Sequence, residues 1–159
     1  MKKITESLVS ELSGQAKKAE RQRYNYNFHG DYSDPINRMI NAVEKDAYFP
    51  PHKHENPDKR EIFIILKGRV LVIEFDGKGK IKDHIVLDPN EGNFGVEIPA
   101  KKWHSLIPLE EQSVLYEIKD GPYDKKEDKI FAGWAPEETS EDAQKFVLGV
   151  LQQLNISPS

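Results

Sequence analysis

Between residues 22 and 120 the chain is cut into short β-rich runs by closely spaced turn signals, and this punctuation constrains the fold more than any other feature. Asp76-Gly77-Lys78-Gly79 has the composition of a hairpin turn, Asp88-Pro89-Asn90-Glu91-Gly92 that of a second turn, and Gly30-Asp31-Tyr32-Ser33-Asp34-Pro35 breaks the chain early. The runs between such breaks cover 23–29, 38–43, 61–66, 69–75, 81–87, 94–98, 103–109 and 114–119, and Tyr48-Phe49-Pro50-Pro51 leads into His52-Lys53-His54. Segments this short, recurring at roughly 8–12-residue intervals, predict an all-β barrel or sandwich. In the first run Tyr24, Tyr26 and Phe28 alternate with Arg23, Asn25, Asn27 and His29, the period-2 pattern of a strand with one buried face.

The two ends differ from this middle. Ile4, Leu8, Leu12, Ala16 and Ala19 recur every three or four positions, so residues 1–21 read as a helical arm that packs on the barrel or on a second subunit. Residues 22–120 form the barrel. Residues 121–159 hold an aromatic loop (Tyr123, Phe131, Trp134) and then an amphipathic helix. Thr139 or Ser140 is its expected cap, Glu141 and Asp142 suit its positive end, and Ala143, Phe146, Val147, Val150, Leu151 and Leu154 form its stripe.

Composition narrows the chemistry. The 159 residues carry 23 Lys+Arg against 27 Asp+Glu, a net charge of −4 with no basic block, which argues against phosphate-driven nucleic-acid binding. The longest apolar stretch, 62–66, is far short of the roughly 20 residues a spanning helix needs, so the expectation is a soluble cytoplasmic protein with no membrane partner. Cysteine is absent, which removes disulfides, thiolate metal sites and thiol nucleophiles. What chemistry remains must run on histidine, carboxylate, lysine, tyrosine or a bound cofactor.

The histidines supply the sharpest candidate. His52 and His54 stand two apart, so on a strand both imidazoles point to one face. Glu61 opens the next run, and His104 follows Pro99 on a later one. Four donors from three strands can close around one divalent transition metal (Fe, Zn, Mn or Ni) and leave coordination positions open, as a catalytic site requires. Glu55 is the alternative carboxylate.

These motifs carry a resemblance. His52-x-His54, Glu61 and Gly68, followed by Pro99 and His104, resemble the two cupin motifs, in which three histidines and one glutamate hold a metal inside a double-sheet jelly-roll barrel. The wider set is similar to the WbuC family of cupin-fold metalloproteins: Arg38-Met39-Ile40-Asn41-Ala42, Pro51-His52-Lys53-His54-Glu55-Asn56-Pro57-Asp58-Lys59, Glu61-Ile62-Phe63, Leu66-Lys67-Gly68, Trp103-His104, Gly121-Pro122-Tyr123-Asp124 and Trp134-Ala135-Pro136. That resemblance spans about residues 20–136. It implies an all-β cupin barrel with a helix at each end, a metal on His52, His54, Glu61 and His104, and an association with O-antigen and other surface-polysaccharide gene clusters.

Further residues have chemistry to offer. Arg23, Asn25, Asn27 and His29 share one strand face and are expected to line the barrel mouth as ligand contacts, with His29 also a candidate acid or base. Arg38 and Asn41 fall on opposite faces of their strand; Arg38, a fixed bidentate donor, is the expected contact for an anionic group. Tyr123 is a second proton-bearing candidate; with Trp134 it is expected to anchor the loop against the barrel, a lid or stacking platform being the alternative. Trp103 reads as core and His84 as surface. The expected function is a metal-binding cupin acting on a small polar molecule, isomerase- or epimerase-like, as a homodimer. An iron dioxygenase and a non-enzymatic ligand sensor are the alternatives.

Overall fold

The computed structural model describes residues 1–158. In chain order its elements are α1 (Glu6–Lys18), β1 (Arg23–Asn27), β2 (Ile36–Val43), β3 (His52–Lys53), β4 (Glu61–Lys67), β5 (Val70–Phe75), β6 (Ile81–Leu87), β7 (Gly95–Ile98), β8 (Trp103–Pro108), β9 (Ser113–Asp120), β10 (Ile130–Phe131) and α2 (Ala143–Leu154). The strands form two five-stranded sheets, ordered β1-β2-β9-β4-β7 and β10-β3-β8-β5-β6, with antiparallel pairing throughout. This is the predicted all-β jelly-roll barrel with a helix at each end. One strand was not expected: β10 lies within the aromatic loop and pairs with β3, extending the second sheet.

Turn chemistry closes the barrel where the sequence signals it. Gly68 adopts φ +76 between β4 and β5, and a Cβ there would lie 2.4 Å from the Ser113 Oγ and 2.9 Å from its Cα. Only glycine meets both demands.

Three apolar clusters hold the layers together. Between the sheets, Val43, Phe63, Ile65, Val70, Val72, Leu87, Ile98, Leu106 and Leu115 fill one end of the barrel. Outside the first sheet, α1 lays Val9, Leu12 and Ala16 on Ile40, Ala42 and Val114. Outside the second, α2 lays Ala143, Val147, Val150 and Leu151 on Leu71, Ile73, Phe75 and Ile107.

Two helix expectations are adjusted. Leu8, Leu12 and Ala16 of the expected α1 stripe pack on the chain's own barrel, joined by Val9 and Ser13, while Ile4 is exposed ahead of the Thr5 cap. The α2 helix begins at Ala143, later than expected, because Ser140 caps a preceding turn through Asp142 N–H (3.2 Å) rather than the helix itself. Trp134 anchors the loop, as expected: it packs against Phe75, Trp103 and Phe146 under α2.

Candidate metal centre

Strand geometry assembles the centre. His52 on β3 is paired directly with His104 on β8, and the two-residue period brings His54 back to the same face. The intervening Lys53 turns outward, its ammonium 5.0 Å from the Trp103 ring centroid. Glu61 enters from the facing sheet, at the start of β4. All four side chains are buried, and their ligand atoms lie within 4.8 Å of one another. The carboxylate in the cluster is Glu61; Glu55 is ion-paired with Lys53 instead.

Hydrogen bonding settles the tautomers. His52 Nδ1 faces the Pro50 carbonyl at 3.0 Å, His104 Nδ1 the Lys102 carbonyl at 2.8 Å, and His54 Nδ1 the Asp128 carbonyl. A carbonyl only accepts, so each Nδ1 carries the proton and each neutral ring turns an Nε2 lone pair inward. His54 Nε2 lies 2.7 Å from Glu61 Oε1 and His104 Nε2 lies 3.1 Å from Glu61 Oε2. His52 Nε2 is buried with no hydrogen-bond partner. Three lone pairs and a carboxylate thus converge with nothing but acceptors among them, an arrangement that repels itself until a cation joins it. Burial, reinforced by the nearby Lys129 charge, holds the His52 imidazolium well below the usual histidine range. A neutral-imidazole and carboxylate set is the donor chemistry of Fe, Zn, Mn and Ni, and the residues present fit such an ion.

Beside the centre opens a cavity of about 490 Å³, into which His52 and Glu61 face. Arg23, Asn25, Asn27, His29 and Tyr123 all line it. Two of them are committed within the protein: Arg23 pairs with Glu138 (2.6 Å) and lies over the Phe49 ring, and Asn25 donates to Asn41 Oδ1 at 2.5 Å. His29 Nδ1 meets the Arg38 backbone, 3.1 Å from both its N–H and its carbonyl oxygen. Burial pushes the Tyr123 hydroxyl up, so it keeps its proton.

Arg38 is a correction. It stands on the outer face of β2, where it pairs with Asp34 at 2.5 Å and donates to the Ile36 carbonyl; the cavity face carries Asn37, Met39 and Asn41. Both faces of β2 are covered, one by α1 and one by the barrel, so apolar content does not distinguish them. His84 is exposed, as expected.

Sequence reasoning missed a charged layer behind the centre. Lys119 on β9 lies 3.7 Å from Glu61 Oε1 and 2.7 Å from Asp128, whose other oxygen takes Lys59 at 3.0 Å. Burial alone would discharge Lys119; Glu117, Glu61 and Asp128 outweigh it and hold the ammonium charged. Burial, and then the Glu61 charge, push the Glu117 carboxyl up. One signal was available: Glu117 and Lys119 share parity with the apolar Leu115, which places charge on an inward face.

The family described as "Domain of unknown function (DUF6016)" matches residues 4–87, more than half of the chain and three of the four centre residues. No curated protein matches at a significant level. Solved structures with a similar fold include the capsular polysaccharide assembling protein CapF from Staphylococcus aureus (TM-score 0.56, 16% identity, 67% of this chain and 28% of that one). They also include the DMSP lyase DddQ from Ruegeria pomeroyi DSS-3 (TM-score 0.54, 18% identity, 72% and 54%). A third is a cupin superfamily protein from Desulfitobacterium hafniense DCB-2 (TM-score 0.51, 16% identity, 69% and 86%). The chain spans less than a third of CapF and about half of DddQ. The likeness is one of fold, and the fold is that of the cupins.

Proposed function

The chain belongs to the DUF6016 family, and we propose that it is a metal-dependent enzyme acting on a sugar or nucleotide sugar of surface-polysaccharide metabolism, by isomerase- or epimerase-type chemistry. The observation that carries the metal is the convergence of acceptors, with His54 Nε2 and His104 Nε2 at 2.7 and 3.1 Å from the two oxygens of Glu61 and no proton between them to share. Support for the substrate class comes from the WbuC-like motifs, including Trp103-His104 and Gly121-Pro122-Tyr123-Asp124, and from CapF, a capsular polysaccharide assembling protein of similar fold.

His52, His54, Glu61 and His104 would hold the ion, which supplies Lewis-acid polarisation of a coordinated ligand oxygen. The chain's own residues do the rest. Lys119, 3.7 Å from Glu61 Oε1 and paired with Asp128, holds the Glu61 carboxylate in position. His29, in the tautomer whose Nδ1–H donates to the Arg38 carbonyl, has an Nε2 lone pair to take a proton from the ligand and return it. Glu117, whose carboxyl is pushed up by burial, and Tyr123 line the same cavity as proton-bearing groups.

Protein purified without a metal-affinity tag is expected to carry near one transition metal per chain by elemental analysis. Metal content unchanged in a His52→Ala/His54→Ala double variant would overturn the reading. The loaded protein is then incubated with nucleotide sugars and keto acids, with and without oxygen. Turnover without oxygen supports an isomerase or epimerase. Oxygen-dependent turnover on iron would make it a dioxygenase, and tight binding with no turnover a ligand-binding module. A cytoplasmic homodimer belongs to the same reading, and light scattering of the purified chain checks the dimer.

A further inference from the structure

We infer that the cavity contains a second ligand-reading element, distinct from the metal centre: a carboxamide wall, ending at Asn37, that takes a neutral, hydroxyl-bearing end of the ligand. The inference rests on the proposed function for its sugar class and not on the metal.

Asn37 is 1% exposed, lines the cavity, and has no partner for either its Nδ2 or its Oδ1. Native proteins rarely leave a buried amide in that condition, because its desolvation goes uncompensated. Two neighbouring amides of the wall, Asn25 and Asn41, are engaged. Asn25 donates to Asn41 Oδ1 at 2.5 Å, and Asn41 donates in turn to Glu117 Oε2 at 2.5 Å. Asn37 alone among these three keeps both a donor and an acceptor turned to the cavity.

Register places it relative to the metal. Asn37 on β2 pairs with Lys119 on β9, which pairs with Glu61 on β4. Asn37 therefore stands two strands from the metal carboxylate on one inward-facing row, roughly 10 Å by strand spacing. One small molecule can coordinate at the centre and reach Asn37.

The chemistry of the group selects the ligand end. A carboxylate or phosphate satisfies only the donor of a carboxamide, and an ammonium only its acceptor. A hydroxyl, or two adjacent hydroxyls, satisfies both. The intervening Lys119 does not change the balance, since its charge is committed to Asp128 and Glu61. At the mouth, Phe131 (59% exposed) and Tyr32 (60% exposed) offer flat apolar faces beside this polar wall. Polar edge contacts next to an aromatic face suit a pyranose ring, with its hydroxyl rim and C–H faces.

The test uses the full-length protein as purified, with D-glucose, D-galactose and sorbitol as neutral probes, followed by saturation-transfer NMR and calorimetry. At least one probe is expected to bind, and Asn37→Leu or Asn37→Asp is expected to weaken it about tenfold or more with native near-ultraviolet circular dichroism. Phe131→Ala, at an exposed position that leaves folding intact, is expected to weaken it severalfold should the Asn37 variants fail to fold. No binding of any probe to the wild type overturns the inference, and so does unchanged affinity in every folded variant. The His52→Ala/His54→Ala variant separates the two readings: if the metal reading fails, neutral-probe binding and its dependence on Asn37 persist.

Discussion

The two ends of the barrel interior are lined by the same strands and differ by one step of the pleat. On β4 Glu61 faces the three histidines, while Phe63 and Ile65 are core. His104 gives way to Leu106 on β8, Lys119 and Glu117 to Leu115 on β9, and Asn37 and Asn41 to Val43 on β2. At one end the inward side chains are apolar and close on each other. At the other they are charged or amide-bearing and surround a cavity of about 490 Å³. The difference teaches that the pleat decides which residues face inward, whatever their polarity, and that one end stabilises what the other exposes to ligand. Burying each large aliphatic or aromatic side chain contributes roughly 1.5–3 kcal/mol. Buried ion pairs such as Lys59–Asp128–Lys119 contribute little net stability against apolar replacements, so their value lies in positioning.

The comparison can be broken first at the polar end. The His52→Ala/His54→Ala double variant removes two of four donors and is expected to abolish metal retention by elemental analysis while the barrel stays folded. Glu61→Gln is expected to lose far more metal than Glu55→Gln, because Glu55 is bound up with Lys53 outside the cluster. The converse holds at the apolar end. Phe63→Ala leaves a void between the sheets and is expected to cost about 3–5 kcal/mol in urea unfolding, with the metal site intact in the molecules that remain folded.

A smaller effect is expected where the loop between β9 and β10 meets the centre. Asp128 orients His54 through its backbone carbonyl while its carboxylate anchors Lys59 and Lys119. Asp128→Ala releases that anchor and is expected to lower metal affinity by about 10–100-fold in a chelator competition. Smallest is a surface pair on the outside of the polar end, next in the chain to Glu61 and Lys119. The Arg60 guanidinium holds the Asp120 carboxyl below its ordinary value. A depressed carboxylate contributes stability above its unfolded value near pH 3.9, and that contribution disappears as pH falls through the folded value. Asp120→Asn should therefore change thermal stability slightly at neutral pH and not at all in strong acid, as followed by circular dichroism.

Some of this was legible in the residues alone. His52 and His54 were readable as a pair because spacing of two on a strand fixes a common face whatever the partners. The polar row Arg23, Asn25, Asn27 and His29 was readable for the same reason. The outer side of β1 was marked by its aromatics, and Tyr26 and Phe28 do pack with the α1 cluster. Arg38 was misread because period 2 separates faces without saying which is inner. On β2 both Ile40 and Val43 are buried, on opposite faces, so hydrophobicity casts no vote. Asp128 was invisible because its decisive group is a main-chain carbonyl, brought to His54 across 74 residues of chain.

The sequence by itself determined the short strands, their turns, the all-β barrel with a helix at each end, and the residue types that meet at the centre. These follow from local rules of backbone conformation, two-residue periodicity and donor chemistry. Only the tertiary structure decided that Glu61 rather than Glu55 joins the three histidines, that Asn37 and Asn41 rather than Arg38 face the cavity, and that Lys59, Lys119 and Asp128 stand behind the site. Those choices depend on which sheet packs against which, on register across strands distant in the chain, and on helices covering the outer faces. Packing sums over the whole molecule, and no window of sequence contains it.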